Sequence, residues 1–238
     1  MSYKFSRLID VAREKMAICN DPIHDLGHVE RVVKISKDLG QSYELKTMHI
    51  QALELAAWWH DVGRTVTKRP SILWMVFVDD TISAIMLCWQ TIRRGLFGGV
   101  PGLASRIIFC NSFVTGKFFS KILLSKKTRM LLNILHDADT IDILSTNRME
   151  QVLDLVMKSR LYLVGYRFLA WWNFSTSELA MRTKAGKKYI MSFFKKFLDW
   201  MRAPQVYCWH VRHFGQEWFV KNTCRVEQYI LRARVLYL

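Results

Sequence analysis

The amino-acid sequence predicts an all-α protein, a helical bundle with additional helices toward the C-terminus. Apolar residues recur at spacings of three and four over most of the chain, as on the buried face of an amphipathic helix. Strictly alternating segments, which indicate strands, are scarce. With 238 residues and 51% hydrophobic content the chain can bury a substantial core, and no Pro/Gly/Ser-rich linker divides it. We therefore expect a single domain over residues 1–238.

The helical period is clearest in six segments. The predicted helices cover residues 4–18, 25–39, 46–62, 71–92, 117–145 and 186–202. Asp21-Pro22 is expected to start the second helix, because proline tolerates the first turn and aspartate accepts hydrogen bonds from free backbone amides. Residues 93–102 contain four of the eleven glycines and a proline, which predicts a loop between helices.

Neither the most apolar segment nor the N-terminus indicates a membrane-spanning or secreted protein. Residues 71–90 are long and apolar enough to suggest a membrane span, but Asp79 and Asp80 lie at their centre, where two carboxylates would be costly in lipid. A buried helix is the better interpretation. The start of the chain has charges every few residues and lacks the apolar run of a secretory signal, so we expect no export.

Charge and cysteine content indicate the partners and the compartment. The net charge of +15 favours phosphate-rich partners, namely nucleotides, nucleic acid or an anionic membrane. Residues 116–129 and 184–197 interleave lysine with apolar residues, as membrane-surface or nucleic-acid-binding helices do. More often, the lysine side of such a helix faces solvent and the apolar side is buried in the core. Five scattered cysteines without a Cys-x-x-Cys pair argue against disulfides and a zinc knuckle, and they predict a cytoplasmic protein.

Two histidines occupy the apolar faces of predicted helices. His28 shares its face with Val32, Ile35 and Leu39. His60 shares its face with Ile50, Leu53 and Ala57. A lone histidine on such a face is more often a core residue bonded to a carbonyl, but two inward histidines beside Asp61 favour a metal site. Histidine nitrogens and carboxylate oxygens together suit manganese, iron, zinc or nickel.

A further ligand is available in the apolar helix that includes residues 131–144. This segment carries Asp137, Asp139 and Asp142, and unpaired carboxylates would be expensive in apolar surroundings. Periodicity does not choose between the first two, because Asp137 and Asp139 each share a helical face with apolar residues. The sequence therefore predicts a ligand from this helix and leaves its identity open.

Three sequence elements resemble the HD superfamily of metal-dependent phosphohydrolases. "HDLGHVERV" is similar to the family's His-x-x-Arg-Val helix, "LAAWWHDVG" to its Ala-Ala-x-x-His-Asp-x-Gly helix, and "DADTID" to its Asp-Ala-Asp-x-Leu-Asp element. They occur in the family's order, on predicted helices. The resemblance implies an HD-like helical bundle with its core motifs in residues 20–144 and a C-terminal helical extension over residues 145–238.

The resemblance also implies a ligand set and a reaction. His28, His60, Asp61 and Asp139 would bind a divalent metal ion, with Asp137 as the alternative to Asp139. The ion would be manganese, iron, cobalt, nickel, zinc or magnesium. The implied reaction is hydrolysis of a phosphate ester of a nucleotide or another small phosphorylated metabolite, with hydroxide generated at the metal attacking phosphorus.

Four residues receive roles at the substrate. Asp61 is expected to be catalytic as well as a ligand, because its second oxygen could orient the attacking water or take its proton. Arg31 is expected to act in catalysis and substrate binding, since a guanidinium can hold phosphate bidentately; the alternative is a surface salt bridge. Arg64 and His24 complete the predicted substrate-binding residues. We expect the cluster to open toward a basic pocket that includes Arg31 or Arg64.

A second class of function fits the same sequence. It is a non-catalytic basic protein that keeps the HD scaffold and binds nucleic acid or an anionic membrane surface through its basic helices. The complete set of histidines and aspartates favours the enzyme, because a binding protein has no reason to keep costly inward polar groups unless they hold a structural metal.

Overall fold

The computed structural model describes the backbone of residues 3–68, 75, 77–112, 116–175 and 181–237. In this part of the chain the protein is helical and contains no strand, which confirms the predicted all-α class. The chain divides into two compact units, Met1–Asp139 and Thr140–Leu238. The single domain expected from the sequence stays a prediction.

The first unit begins with three helices and a short 3-10 helix. These are α1 (Tyr3–Ala17), α2 (Leu26–Gln41), α3 (Thr47–Trp59) and the 3-10 helix (Val62–Val66). Asp25 is the N-cap of α2, because its carboxylate accepts a hydrogen bond from the amide of His28 at 2.7 Å. The predicted start at Asp21 is wrong, since that carboxylate accepts hydrogen bonds from two amides in the turn before the helix.

The helix α3 forms the centre of the first unit's core. Most of its second half is buried, and the fully buried Trp59 donates its indole N–H to the carbonyl of Leu8 on α1 at 3.0 Å. His60 is the C-cap of α3 and keeps helical backbone angles, and the chain leaves the α-helical path at Asp61. The helix predicted over residues 46–62 is therefore shorter than expected, and its last residues form the turn that carries the histidine and the following aspartate.

The remaining helices of the first unit are α4 (Asp79–Arg93), α5 (Gly99–Asn111), α6 (Gly116–Leu123) and most of α7 (Lys126–Ile143). The prediction of a helix over residues 71–92 is confirmed from Asp79 onward, and residues 71–74 and 76 lie outside the described residues. The predicted single helix over residues 117–145 is wrong, because it is divided into α6 and α7. Ser125 lies at the break and accepts a hydrogen bond from the amide of Thr128 at 3.3 Å, as an N-cap does.

The loop between α4 and α5 is shorter than the predicted loop of residues 93–102. The helix α5 begins at Gly99 and contains Pro101 in its first turn, where the missing N–H removes no helical hydrogen bond. Gly95 and Gly98 have φ values of 63° and 67°, in the left-handed region that glycine adopts without strain. These glycines therefore make the tight connection, and the proline belongs to the helix.

In its described residues, the second unit contains the end of α7 and five further helices. These are α8 (Thr146–Lys158), α9 (Arg160–Ser175), α10 (Lys184–Arg202), α11 (Pro204–Phe214) and α12 (Gln216–Tyr237). Thr183 caps α10 by accepting a hydrogen bond from the amide of Gly186 at 2.9 Å. Phe194 of α10 is fully buried and meets the ring of Tyr229 on α12, with 4.9 Å between centroids. The predicted C-terminal helices are confirmed.

Among the helices of the described residues, none combines the length and the apolar character needed to cross a bilayer.

Gly63 allows the 3-10 helix to approach α4 closely, and Gly63→Ala should lower the free energy of unfolding by about 1–3 kcal/mol through overpacking. A Cβ at this position would lie 2.4 Å from the carbonyl oxygen of Asp79 and 2.9 Å from the hydroxyl of Ser83. Urea denaturation measures the change. Gly102→Ala in α5 is the matched control, because a Cβ there has nothing within 4 Å and should be neutral or stabilise by up to about 1 kcal/mol. Equal effects of the two substitutions would contradict the close approach.

Candidate metal centre

His28 and His60 reach the same point from two helices. His28 lies in the first turn of α2 and is fully buried, and His60 at the end of α3 is 2% exposed. Their Nε2 atoms are 3.3 Å apart, and their ring centroids are 5.4 Å apart. The two rings that the sequence placed on apolar faces therefore meet in the interior.

The hydrogen bonding of His60 indicates which of its nitrogens can bind a cation. Its Nδ1 lies 2.7 Å from the carbonyl oxygen of Ala57, to which the Nδ1–H donates. In the neutral ring Nε2 then carries a lone pair. A metal-binding histidine commonly has this arrangement, because the second nitrogen fixes the tautomer and the ring orientation. Two Nε2 atoms that face each other at 3.3 Å are stabilised by a shared proton or by a cation.

Two carboxylates complete the cluster. The Oδ2 atom of Asp61 lies 3.1 Å from Nε2 of His28 and 3.4 Å from Nε2 of His60. Asp139 on α7 places Oδ1 at 3.5 Å from Nε2 of His28. One ligand atom each from His28, His60 and Asp139 lies within 4.8 Å of the others, and this group could hold a metal ion.

The residues fit a divalent ion in two respects. Ligands at about 2.1 Å from one ion are roughly 3.0–3.4 Å apart in octahedral or tetrahedral geometry, close to the separations in this cluster. The Oδ2 atom of Asp61 is also buried, and the Nε2 atoms of both histidines lie within 3.4 Å of it. An anionic oxygen in that position is costly, and a cation between it and the two imidazoles would remove the cost.

The three aspartates of the downstream helix have different surroundings. Asp137 is fully buried with its carboxylate 3.8 Å from Nδ1 of His136, and it is not in the metal-compatible group found among the described residues. Asp142 is fully buried and pairs with Arg148 at 3.4 Å in the second unit. Only Asp139 of the three therefore meets the two histidines in the described structure, and about a third of its side chain is exposed.

Arg64 connects the cluster to two further carboxylates. Its guanidinium lies 2.8 Å from Asp21, 3.3 Å from Oδ1 of Asp61 and 2.5 Å from Asp79. The side chain is 3% exposed. This position corrects the expectation that Arg64 faces a substrate, because a guanidinium enclosed by three carboxylates has little capacity left for a phosphate. Its contact with Asp61 instead fixes the orientation of that carboxylate.

His24 borders the cluster just before α2, and Arg31 lies three residues after His28 on α2. Nδ1 of His24 is 3.1 Å from the carboxylate of Asp21, and its ring meets the ring of His28 edge-on, with 5.5 Å between centroids. Arg31 is half-buried, and its guanidinium lies over the backbone of Gly27, where a Cβ would be 3.3 Å from it. The assignment of these two residues to substrate binding stays a prediction.

The acidic groups around Arg64 differ in the direction of their pKa shifts. Burial opposes ionisation of Asp61, but the charges of His60, His24 and Arg64 outweigh it and hold the pKa of Asp61 well below its usual range. Burial also opposes ionisation of Asp21, whose pKa the hydrogen bond from His24 and the charges of His24 and Arg64 lower to about 2.

Asp79 shows the opposite shift. Burial raises the pKa of Asp79 to about 7, and the negative charge of Asp61 adds to the increase, although the contact with Arg64 opposes it. Arg64 therefore does not keep all three carboxylates ionised below about pH 7.

Asp21 and Asp79 are the two members of this network that the sequence did not assign to the site. The sequence pattern predicts a helix cap at Asp21. At Asp79 it indicates only a carboxylate that is too costly for a membrane span. Both could have been identified from their sequence position beside an apolar segment, because a carboxylate buried there requires a partner.

Asp21→Asn and Asp79→Asn should change the stability of the metal-free protein in different ways. At pH 7, Asp21→Asn should lower the free energy of unfolding by about 2 kcal/mol, because a carboxyl whose pKa falls from 3.8 to about 2 stabilises the fold by about 1.4 kcal/mol per pKa unit. That contribution is present above about pH 4 and is lost as the pH falls toward 2.

Asp79→Asn should leave the stability unchanged or increase it. Between about pH 4 and pH 7 the folded protein keeps a proton on Asp79 that the unfolded chain has released, so this group makes stability fall as the pH rises. The substitution should remove that fall. Urea denaturation at several pH values with a chelator present measures both variants. Equal losses in the free energy of unfolding at pH 7 would contradict the opposite pKa shifts of Asp21 and Asp79.

Metal binding should depend on Asp139 and not on Asp137. Titration of chelator-treated protein with Mn²⁺ should find one strong site, and Asp139→Asn should weaken it by more than about tenfold, since even residues that only support a ligand contribute about 10–100-fold. Asp137→Asn is the matched control on the same helix and should retain the wild-type affinity within about threefold. A larger loss from Asp137→Asn than from Asp139→Asn would show that the ligand is misassigned.

No protein-family model, curated protein or solved structure matches the chain significantly.

Proposed function

We propose that the protein is a metal-dependent phosphohydrolase of the HD type that cleaves a phosphate ester of a nucleotide or another small phosphorylated metabolite. One observation carries this proposal: the buried histidines His28 and His60 lie close to Asp139, and Asp61 lies beside them. Nitrogen and oxygen donors of this kind hold the ions that hydrolytic enzymes use. A divalent ion bound there would lower the pKa of water and neutralise charge that develops on phosphorus.

Asp61 is the residue that connects the cluster to the chemistry. Its Oδ1 accepts a hydrogen bond from Arg64 at 3.3 Å, while its Oδ2 faces Nε2 of His28 at 3.1 Å and Nε2 of His60 at 3.4 Å. A carboxylate held in this way can orient an attacking water and accept its proton, and such proton transfer contributes about 10²–10⁴-fold to a rate. The low pKa of Asp61 keeps it ionised, as a proton acceptor must be.

Charge and surroundings support an anionic substrate. The net charge of +15 attracts phosphate esters over long distances. Asp139 is the most exposed of the four cluster residues, so we infer that substrate approaches from its side. His24, whose ring meets that of His28, and Arg31, three residues after His28 on α2, would bind the phosphate group, whereas Arg64 would act as a positioning residue for Asp61.

We also place the protein in a reducing compartment such as the cytoplasm. All five cysteines are free thiols.

Asp61→Asn should lower the turnover number for the best phosphate ester by at least about 100-fold, because it removes the proton acceptor while keeping the size of the side chain. The screen covers nucleotides and sugar phosphates with manganese, cobalt, nickel or magnesium. Bound metal is measured in parallel, and the activity should fall further than the metal content. Asp10→Asn, at an exposed position on α1, is the charge-matched control and should keep wild-type activity.

Two results would overturn the proposal. One is wild-type protein that binds metal and hydrolyses no phosphate ester with any of the four ions. The other is Asp61→Asn protein that retains wild-type turnover.

A further inference from the structure

One long segment of the first unit is free of acidic residues. Residues 81–136 contain no Asp or Glu, although the whole chain has 20. The same segment contains eight basic residues, namely Arg93, Arg94, Arg106, Lys117, Lys121, Lys126, Lys127 and Arg129. It includes all of α5 and α6 and nearly all of α4. A surface formed by this segment is therefore cationic without internal compensation.

The helix α4 presents an apolar face to solvent. Ile85, Trp89 and Ile92 follow one another at spacings of four and three, so they lie on one side of the helix. Each is more than half exposed. The side that faces the core carries Ala84, Leu87 and Thr91, all buried. The helix therefore has an inner and an outer apolar face, and the described residues of the unit cover only the inner one.

The exposed face continues into a basic and aromatic end. Arg93 and Arg94 follow Ile92 directly and are both exposed, and Phe97 in the next loop is 75% exposed. Arg94 is held by hydrogen bonds to the carbonyl and side chain of Gln90, one turn earlier on the same helix. We call Ile85, Trp89, Ile92, Arg93, Arg94 and Phe97 the α4 surface.

We propose that the α4 surface docks on an anionic lipid membrane. Isoleucine, tryptophan and phenylalanine beside arginine are the combination with which a helix lies in the membrane interface, where the apolar side chains enter the acyl boundary and the guanidinium groups bind phosphate headgroups. Exposed apolar side chains in such a group usually mark an interaction site. This function is independent of the reaction proposed for the metal centre.

Charge and side-chain chemistry favour lipid over two other occupants. A second copy of the chain would bring the same acid-free cationic surface to the interface, and like charges would repel. Nucleic acid would satisfy Arg93 and Arg94, but Ile85 and Ile92 have no π face on which a base could stack. An anionic bilayer satisfies both the charges and the aliphatic side chains.

Vesicle flotation tests the proposal with the full-length protein. Wild-type protein should bind vesicles of phosphatidylcholine with about 30% phosphatidylserine at least about tenfold more strongly than pure phosphatidylcholine, since anionic lipid attracts each nearby arginine. Ile85→Ser/Ile92→Ser and Arg93→Glu/Arg94→Glu should each weaken this binding at least about tenfold. Raising the salt concentration to about 1 M should weaken the electrostatic part, because the Debye length falls to about 3 Å.

Matched controls change exposed residues elsewhere in the same unit. Ile18→Ser/Met48→Ser removes exposed apolar side chains, and Arg7→Glu/Lys34→Glu makes the same charge change as the arginine pair. Both controls should retain binding within about threefold of wild type. Far-UV circular dichroism should show native helicity for every variant, as expected for substitutions of exposed side chains.

Four results would overturn the proposal. They are the absence of vesicle binding, equal binding to neutral and anionic vesicles, equal losses from the α4 variants and their controls, and loss of self-association in the α4 variants without any vesicle binding. Binding of a single-stranded RNA oligonucleotide that only the arginine substitutions weaken, without binding to vesicles, would overturn it in favour of a nucleic-acid surface.

Discussion

The organisation of the first unit depends on the ion pairs of the buried Arg64 guanidinium. The guanidinium contacts Asp21 before α2, Asp61 after α3 and Asp79 at the start of α4, and so connects three separate parts of the chain. Removing one partner of a buried ion pair leaves an uncompensated charge, which typically costs about 3–5 kcal/mol. Here Arg64 does not hold all three carboxylates ionised, because burial raises the pKa of Asp79 to about 7 and the negative charge of Asp61 adds to the increase.

Buried histidines in the two units show how a ligand differs from a structural residue. His210 in the second unit is fully buried, its Nδ1 lies 2.7 Å from the carbonyl of Val206, and its Nε2 lies 2.9 Å from the hydroxyl of Tyr166. Both nitrogens are satisfied, and burial lowers the pKa of this histidine. His60 also bonds a carbonyl through Nδ1, but its Nε2 faces a second imidazole and a carboxylate. The surroundings of the second nitrogen, and not burial, distinguish the two.

The helix α4 relates the metal centre to the proposed membrane surface. Its first residue, Asp79, contacts Arg64, and its exposed face begins at Ile85, about 9 Å further along the helix axis at 1.5 Å per residue. Gly63 permits this helix to lie against the turn after Asp61, with the amide of Gly63 donating to the hydroxyl of Ser83 at 2.7 Å. One end of α4 is therefore fixed by charge and close packing, while its outer face remains available to a partner.

The helical class and the inward orientation of His28 and His60 follow from local information in the sequence, which does not choose between Asp137 and Asp139. Helical periodicity and residue chemistry depend on neighbours three or four positions away, so they can be read without knowledge of the packing. The convergence of the cluster depends on how α2, α3 and α7 pack, and no local pattern contains that. The enclosure of Arg64 is of the same kind, because its partner Asp21 lies 43 positions away and its charge looks like a substrate contact until three carboxylates surround it. Long-range packing decided which charges meet, since the energy of a buried charge depends on the groups that the fold places beside it.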